Sequence, residues 1–202
     1  LQGNIKNIIA ALLFIAIISF FLTSFHIGKN KASIALLSYY AVLCALFFNL
    51  DAYAIPVNII NGAVLFWLYM SSFMLLVIAT KFFAKLTYDL KPMENIALVI
   101  LTLLMTASVL LYIFVFSAST MGLLIVTSTI GLCLALLSTI VFFTSDKPAS
   151  ISCLFSIALL SSGAALTLLT IISLGYVEPS YVTYFWYAHL FQAFCFMGAY
   201  LR

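Results

Sequence analysis

The last apolar stretch of the chain, roughly residues 180–201, contains the polar side chains best placed to do chemistry. At about 100° per residue, four polar residues at or just before this stretch share one arc of roughly 80° on a helical wheel. They are Glu178, Tyr181, His189 and Gln192, and Trp186 lies on the same segment. A polar arc that faces lipid is costly, so it should face a bundle interior or a wet cavity. The pattern predicts a ligand-binding or switch site with two hydrogen-bonding states.

Two other interpretations of these residues stay open. His189 and Gln192 could hold helices together by bonding to neighbouring Ser, Thr or carbonyl groups, as polar side chains in membrane helices commonly do. The aromatic residues of the segment, Tyr181 and Trp186 among them, could lie at the level of the lipid headgroups, where an apolar ring with a polar tip is favoured. Alternatively, they could line a cavity that opens outward.

Several other chemistries have no support in the sequence. The two histidines, His26 and His189, are far apart and the four cysteines are scattered, so no set of three or four metal ligands has a recognisable spacing. HExxH, GxSxG and phosphate-binding glycine motifs do not occur, and the last segment has no lysine for a retinal Schiff base. Ion-coupled transport usually needs an ionisable residue near the middle of the membrane, and His189 is the only candidate in the sequence. The sequence predicts a protein that is neither an enzyme nor a metal or cofactor carrier.

Seven apolar segments must position these side chains. Hydrophobic residues make up 66% of the chain and charged residues 6%, with a mean hydropathy of +1.29, which is far from the composition of a soluble domain. Apolar runs of about twenty residues match the roughly 30 Å hydrocarbon core of a bilayer. The segments are approximately 8–27, 33–50, 57–83, 93–117, 120–144, 149–174 and 180–201. We expect one all-α domain over residues 1–202, an integral membrane bundle of seven transmembrane helices.

The four prolines support these boundaries, because each lies where a segment begins. They are Pro56, Pro92, Pro148 and Pro179. Proline suits the first helical turn, where its missing N–H would have no helical partner.

The basic residues predict the orientation. Threading the segments up and down puts seven of the eight Lys and Arg residues on one side and only Lys6 on the other. The seven are Lys29, Lys31, Lys81, Lys85, Lys91, Lys147 and Arg202. Cytoplasmic loops carry such an excess of cations, so the N-terminus is expected outside and the C-terminus inside a multi-pass protein of the inner (plasma) membrane. The cations form no basic stripe, which excludes nucleic acid as a partner.

Three stretches of the chain resemble the transmembrane region of bacterial receptors of the 7TMR-DISM type (seven-transmembrane receptors with diverse intracellular signalling modules). The first is GKNKASIALLSYYAVLCALFFNLDAYA, a turn with the second helix. The second is KFFAKLTYDLKPMENIALVIL, the end of the third helix with a basic turn. The third is SLGYVEPSYVTYFWYAHLFQAFCFMGAYLR, a Gly-x-x-x-Pro exit from the sixth helix and a seventh helix that ends on arginine.

This resemblance implies a membrane relay. In the family an extracellular domain usually precedes the seven helices, and a kinase, cyclase or phosphodiesterase module usually follows them. Family members often carry a glutamate near the position of Gln192, and the amide here departs from that pattern. The chain starts at Leu1 without methionine, so we expect a fragment of a longer receptor.

The sequence therefore predicts a membrane sensory module that relays an extracellular or membrane-embedded ligand signal to a cytoplasmic output domain. The alternatives are a small-molecule transporter or permease and a structural membrane subunit. The expected partners are the lipid bilayer, a small ligand, a cytoplasmic signalling domain C-terminal to Arg202 and a second copy of the chain. Small residues in the sixth segment, Ser161 to Ala165, and Gly131 in the fifth predict close helix packing within the monomer or a dimer contact.

Overall fold

A computed structural model describes most of the chain, and every regular element in the described part is helical. The described residues are 2–26, 31–47, 62–85, 92–114, 120–144 and 148–200. They form α1 Gln2–His26, α2 Lys31–Phe47, α3 Gly62–Lys85, α4 Pro92–Phe114, α5 Thr120–Thr144, α6 Ala149–Ser173 and α7 Val182–Tyr200, with a 3₁₀ turn over Pro179–Tyr181. Within these ranges there is no β-strand, so the all-α prediction is confirmed.

Each predicted segment overlaps one observed helix, and the largest shift is at the start of α1. That helix begins at Gln2, although the apolar run was placed from residue 8. Hydropathy marks only the part of a helix that can enter lipid, and the polar first turns with Asn4 and Lys6 continue the same helix beyond it.

Three of the helices are long and apolar enough to cross a membrane. They are Asn4–Leu22 of α1, Met121–Phe143 of α5 and Ala149–Ser173 of α6. Shorter apolar helical stretches, of 10–17 residues, are Lys31–Phe47, Leu68–Phe83 and Val99–Tyr112. Large apolar side chains also lie on the outside of these helices, among them Leu103, Leu132 and Phe143, which are 62%, 63% and 77% exposed. Such surfaces suit a lipid environment better than water.

The prolines begin helices where the structure describes them. Pro92 is the first residue of α4, and Pro179 opens the 3₁₀ turn that leads into α7. Pro148 caps α6 with φ −46° and ψ 135°, and its carbonyl accepts from the backbone N–H groups of Ile151 and Ser152 at 2.8 and 3.2 Å. Pro56 lies outside the described residues. So do four of the cations on which the predicted orientation depends, namely Lys29, Lys91, Lys147 and Arg202.

The chain divides into two compact units, and the division falls inside α3. The first unit is Leu1–Phe82. In it α1 packs against α2, with the ring of Phe20 stacked on that of Tyr40 at 5.3 Å between centroids. Tyr39 reaches Phe73 of α3 at 6.1 Å, and the Lys31 ammonium lies 5.4 Å above the ring of Phe82. Aromatic contacts thus hold this unit together.

The second unit, Phe83–Arg202, contains the last turn of α3 and helices α4 to α7. Neighbouring helices in sequence pack on one another: α4 on α5, α5 on α6, and α6 on α7. Helix α6 therefore contacts both α5 and α7, and these two contacts position the candidate site.

Candidate functional site

His189 and Gln192 form the polar centre of the second unit. They are three residues apart on α7, so their side chains lie on the same face of the helix. Both are fully buried, and so is Ser162 of α6. The His189 Nδ1 atom lies 3.0 Å from Gln192 Oε1, and Gln192 Nε2 donates to the Ser162 hydroxyl. The polar pair predicted from the sequence is therefore a contact between α6 and α7.

The direction of each hydrogen bond follows from Ser162. Its hydroxyl has one hydrogen, which it donates to the Ala158 carbonyl in its own helix at 3.2 Å, so it accepts from Gln192. The amide nitrogen must then face Ser162 and the amide oxygen must face His189. Consequently His189 donates through Nδ1–H. We call His189, Gln192, Ser162 and the Ala158 carbonyl the polar network. Hydrogen bonds thus run from His189 to Gln192, from Gln192 to Ser162 and from Ser162 to Ala158.

Aromatic rings enclose the α7 end of the polar network. The Phe185 ring meets the His189 imidazole edge to face, at 4.7 Å between centroids and an interplanar angle of 80°. Trp186 packs on Phe185 at 4.9 Å and 81°, and only 1% of it is exposed. Trp186 is thus buried in the helix packing beside the network.

The structure does not bring Glu178 and Tyr181 to the polar network. Helix α7 begins at Val182, so the helical wheel that grouped these residues with His189 does not apply to them. Glu178 is exposed and accepts from the Ser180 hydroxyl at 3.4 Å. Tyr181 is 46% exposed and lies in the 3₁₀ turn. The predicted five-residue site therefore separates into a buried part and an exposed part that precedes the helix.

Small residues bring α5 and α6 together on another side of α6. A Cβ on Gly163 would lie 3.9 Å from the Gly131 carbonyl oxygen, which agrees with the close packing expected of these glycines. Further along the same interface, the Ser138 and Ser156 hydroxyls each donate to the other residue's carbonyl, at 3.1 and 3.0 Å. Both hydrogen bonds are buried, so the two helices are joined by a reciprocal pair.

The serine pair was missed from the sequence, although a signal for it exists. Ser138 lies seven residues after Gly131 on α5, and Gly163 lies seven residues after Ser156 on α6. Two antiparallel helices with small residues at the same spacing can meet at both positions, as Gly131 with Gly163 and Ser138 with Ser156. A seven-residue spacing is the repeat that keeps one face of a helix against its neighbour.

A groove opens between α5 and α6 beyond the two glycines. Its volume is about 490 Å³, within the size range of small-molecule sites. Its lining includes Leu124, Ser128 and Gly131 of α5. From the other side it includes Thr167 and Thr170 of α6 and Leu174, the residue that follows α6. Tyr176, which follows α6, completes the lining and is 80% exposed. We call this feature the α5–α6 groove.

The backbone after α6 places Tyr176 at the groove. Gly175 adopts φ +78°, a conformation that glycine reaches without strain. Its N–H donates to the Ile172 carbonyl at 3.0 Å, and the Tyr176 N–H donates to the Ile171 carbonyl at 3.2 Å. This pair of bonds is a Schellman motif, which commonly brings the residue after the glycine against the last helical turn. Here that turn contributes Ile171 to the groove lining.

Metal ligands do not converge in the part of the chain that the structure describes, where no group of three or more His, Cys, Asp or Glu residues comes together. Comparison of the chain with protein-family models, with curated proteins and with solved structures finds no match in any of the three.

Proposed function

We propose that this chain is a membrane signal-transducing module of the 7TMR-DISM type, in which α7 carries a signal through the bilayer to a cytoplasmic domain after Arg202. All seven helices cross the inner membrane in this proposal, with the N-terminus outside. Three helices of sufficient length and apolar character support it, as does the lysine pattern of the sequence.

The observation that carries the proposal is the hydrogen bond from Gln192 to Ser162. It joins α7, the proposed output helix, to α6 at a fully buried point. A two-state relay needs a contact that is specific enough to define one packing and weak enough to be broken. Interhelical hydrogen bonds in membrane proteins contribute about 0.6 kcal/mol on average and about 1.7 kcal/mol at most. A ligand that binds one packing about tenfold better than the other supplies about 1.4 kcal/mol, which is enough to compete with such a bond.

A second contact links the far end of α7 to its surroundings. An aromatic cluster lies near the C-terminal end of α7 and consists of Phe83, Phe155, Phe196 and Tyr200. The Phe83 and Phe155 rings stack at 4.1 Å, Phe196 meets Phe155 at 4.9 Å, and Tyr200 meets Phe83 at 5.5 Å. This cluster holds the end of α7 against α6 and the last turn of α3. A movement of α7 that begins at the polar network would thus be transmitted through a rigid, packed end.

The proposal is tested in the full-length receptor by measuring the output of the domain that follows Arg202. Ser162→Ala and Gln192→Leu each remove the α6–α7 hydrogen bond and should change basal output in the same direction. Ser161→Ala is the matched control, because the Ser161 hydroxyl donates only to Ile157 of its own helix at 2.9 Å. The control should leave output unchanged.

Two results would overturn the proposal. One is a gene whose reading frame ends at Arg202, since a relay then has no output domain, and a transporter or a structural subunit becomes the better interpretation. The other is unchanged basal and ligand-stimulated output in both Ser162→Ala and Gln192→Leu when immunoblots show normal amounts of receptor in the membrane.

A further inference from the structure

We propose that the α5–α6 groove binds an uncharged amphiphile with a single hydrocarbon chain, of the long-chain alcohol or monoacylglycerol class. This inference names a ligand for the relay and so rests on the proposed function for its consequence, though not for the binding itself.

The groove follows from the way α5 and α6 meet. The helices are held together at the Ser138–Ser156 pair and at the two glycines, and the groove occupies the interface from Gly131 towards the start of α5. From Gly131 to Leu124 on α5, and from Thr167 to Leu174 on α6, the groove extends about 10 Å along each helix. A Cβ on Gly131 would have no atom within 4 Å, so this part of the lining is open space. The space is elongated along the two helices, which suits an extended hydrocarbon chain.

The serine and threonine hydroxyls of the groove divide into two kinds. Thr167 and Thr170 donate to carbonyls of their own helix, at 2.9 and 2.8 Å, and Thr127 does the same at 2.8 Å, so their polar atoms are already satisfied. Ser128 is exposed and makes no hydrogen bond to any residue that the structure describes, although Thr127 and Thr129 on either side both bond back to their own helix. The Ser128 hydroxyl is therefore available to a ligand hydroxyl or ester group, in a lining whose threonine hydroxyls are already bonded.

The charged residue near Tyr176, at the end of the groove away from the glycines, determines which head group the ligand can carry. The described residues of 120–144 and 148–200 include no Lys or Arg and only one acid, Glu178. Glu178 is exposed and lies two residues after Tyr176, so their Cα atoms are at most about 7.6 Å apart. A carboxylate or phosphate head group would meet a like charge there, and the described residues of α5, α6 and α7 offer no cation to pair with it. An uncharged hydroxyl head avoids that repulsion and can bond to Ser128.

Helix α6 connects the groove to the polar network. Gly163, which faces Gly131 at the inner end of the groove, follows Ser162, which accepts from Gln192 of α7. The Gly163 carbonyl also accepts from Thr167, a groove residue. A chain that enters the groove and separates α5 from α6 at the glycines would displace the same turn of α6 that holds Gln192. Binding in the groove would thus favour the packing in which the polar network is open.

Photolabelling of the full-length protein in its native membranes tests the site. The probe is a long-chain alcohol with a diazirine on its chain, and the labelled peptides are mapped by mass spectrometry. We expect saturable labelling of residues 124–132 and 167–176. Gly131→Leu, whose Cβ would enter open space and whose side chain would occupy part of the groove, should lower this labelling at least tenfold. Leu136→Trp is the matched control, because it adds bulk to a 46% exposed position of α5 outside the groove, and it should label like the wild type.

Competition by unlabelled ligands tests the occupant. Excess long-chain alcohol or monoacylglycerol should abolish the labelling, whereas the fatty acid of the same chain length and a phospholipid should not. Labelling that is not saturable, or that Gly131→Leu leaves unchanged, overturns the site. Equal or stronger competition by the fatty acid or the phospholipid overturns the uncharged occupant. Saturable, Gly131-dependent labelling together with an output domain that does not respond to the alcohol would confirm the site and count against the relay.

Discussion

The double substitution of Gln192 and Ser162 gives the most direct measure of the α6–α7 contact. Gln192→Leu removes the amide and leaves the His189 Nδ1–H group without its acceptor. Ser162→Ala removes the hydroxyl and leaves the Gln192 Nε2–H group without its acceptor. Both orphaned groups are fully buried, and an unsatisfied buried donor costs about 1–3 kcal/mol. Each single variant should therefore lower the free energy of unfolding by about that amount.

The coupling between the two substitutions isolates their shared hydrogen bond. In the double variant the bond is lost only once, so its effect should be smaller than the sum of the single effects. We expect a coupling free energy of about 0.6–1.7 kcal/mol, the range of interhelical hydrogen bonds in membrane proteins. The assay is reversible unfolding of the purified protein in mixed micelles of increasing denaturing-detergent fraction, followed by circular dichroism.

Ser161→Ala provides the control cycle with Gln192→Leu. Ser161 is the sequence neighbour of Ser162 and donates to Ile157 in its own helix, so its effect should add to that of Gln192→Leu within about 0.3–0.5 kcal/mol. If the effects of Ser162→Ala and Gln192→Leu on the free energy of unfolding also add within this limit, the buried hydrogen bond does not hold α6 to α7. The proposal that this bond is the switch contact would then be wrong.

Three further predictions concern packing and topology. Gly163→Leu should lower the thermal midpoint by several degrees in a melting experiment while Gly163→Ala should not, because a Cβ there makes an ordinary 3.9 Å contact with Gly131 and a longer side chain would force α5 away. Gly175→Ala should cost about 1–2 kcal/mol in the same unfolding assay, because φ +78° is unfavourable for alanine; a neutral effect would exclude the Schellman geometry. Green fluorescent protein fused after Arg202 should fluoresce and alkaline phosphatase fused there should be inactive, whereas the reverse pattern would place the C-terminus outside.

The helices could be predicted because the physical signal for them is local. Long apolar runs in a chain with 6% charged residues leave little choice except helices, and proline marks helix starts through its own backbone geometry. The predicted ends of the helices were less accurate, because hydropathy marks an apolar stretch and does not distinguish a 3₁₀ turn from the first turn of an α-helix. The start of α7 was placed near residue 180, but the 3₁₀ turn at Pro179–Tyr181 delays the helix to Val182. That shift removes Glu178 and Tyr181 from the predicted polar face.

The contacts between helices could not be predicted to the same degree, because one sequence does not show which helices are neighbours. The interpretation of His189 and Gln192 as partners of a nearby hydroxyl anticipated the type of bond that the structure shows. It did not identify Ser162, since the chain has hydroxyl residues on every apolar segment. The α5–α6 groove was not predicted, because it depends on two helices that meet at glycines and then separate.

The amide at position 192 gives the polar network a property that a carboxylate lacks. Gln192 accepts from His189 and donates to Ser162 at the same time, whereas an ionised carboxylate can only accept. Ser162 donates its one hydrogen to Ala158, so a carboxylate would meet a lone pair at that point unless the hydroxyl gave up its bond to Ala158. The neutral amide therefore allows α6 and α7 to join without a charge at position 192, and separating them leaves an amide and a hydroxyl to be satisfied. The cost of opening is then of the same order as the free energy that a small ligand supplies. This match, rather than the strength of the contact, is what suits the network to the switching role that we propose.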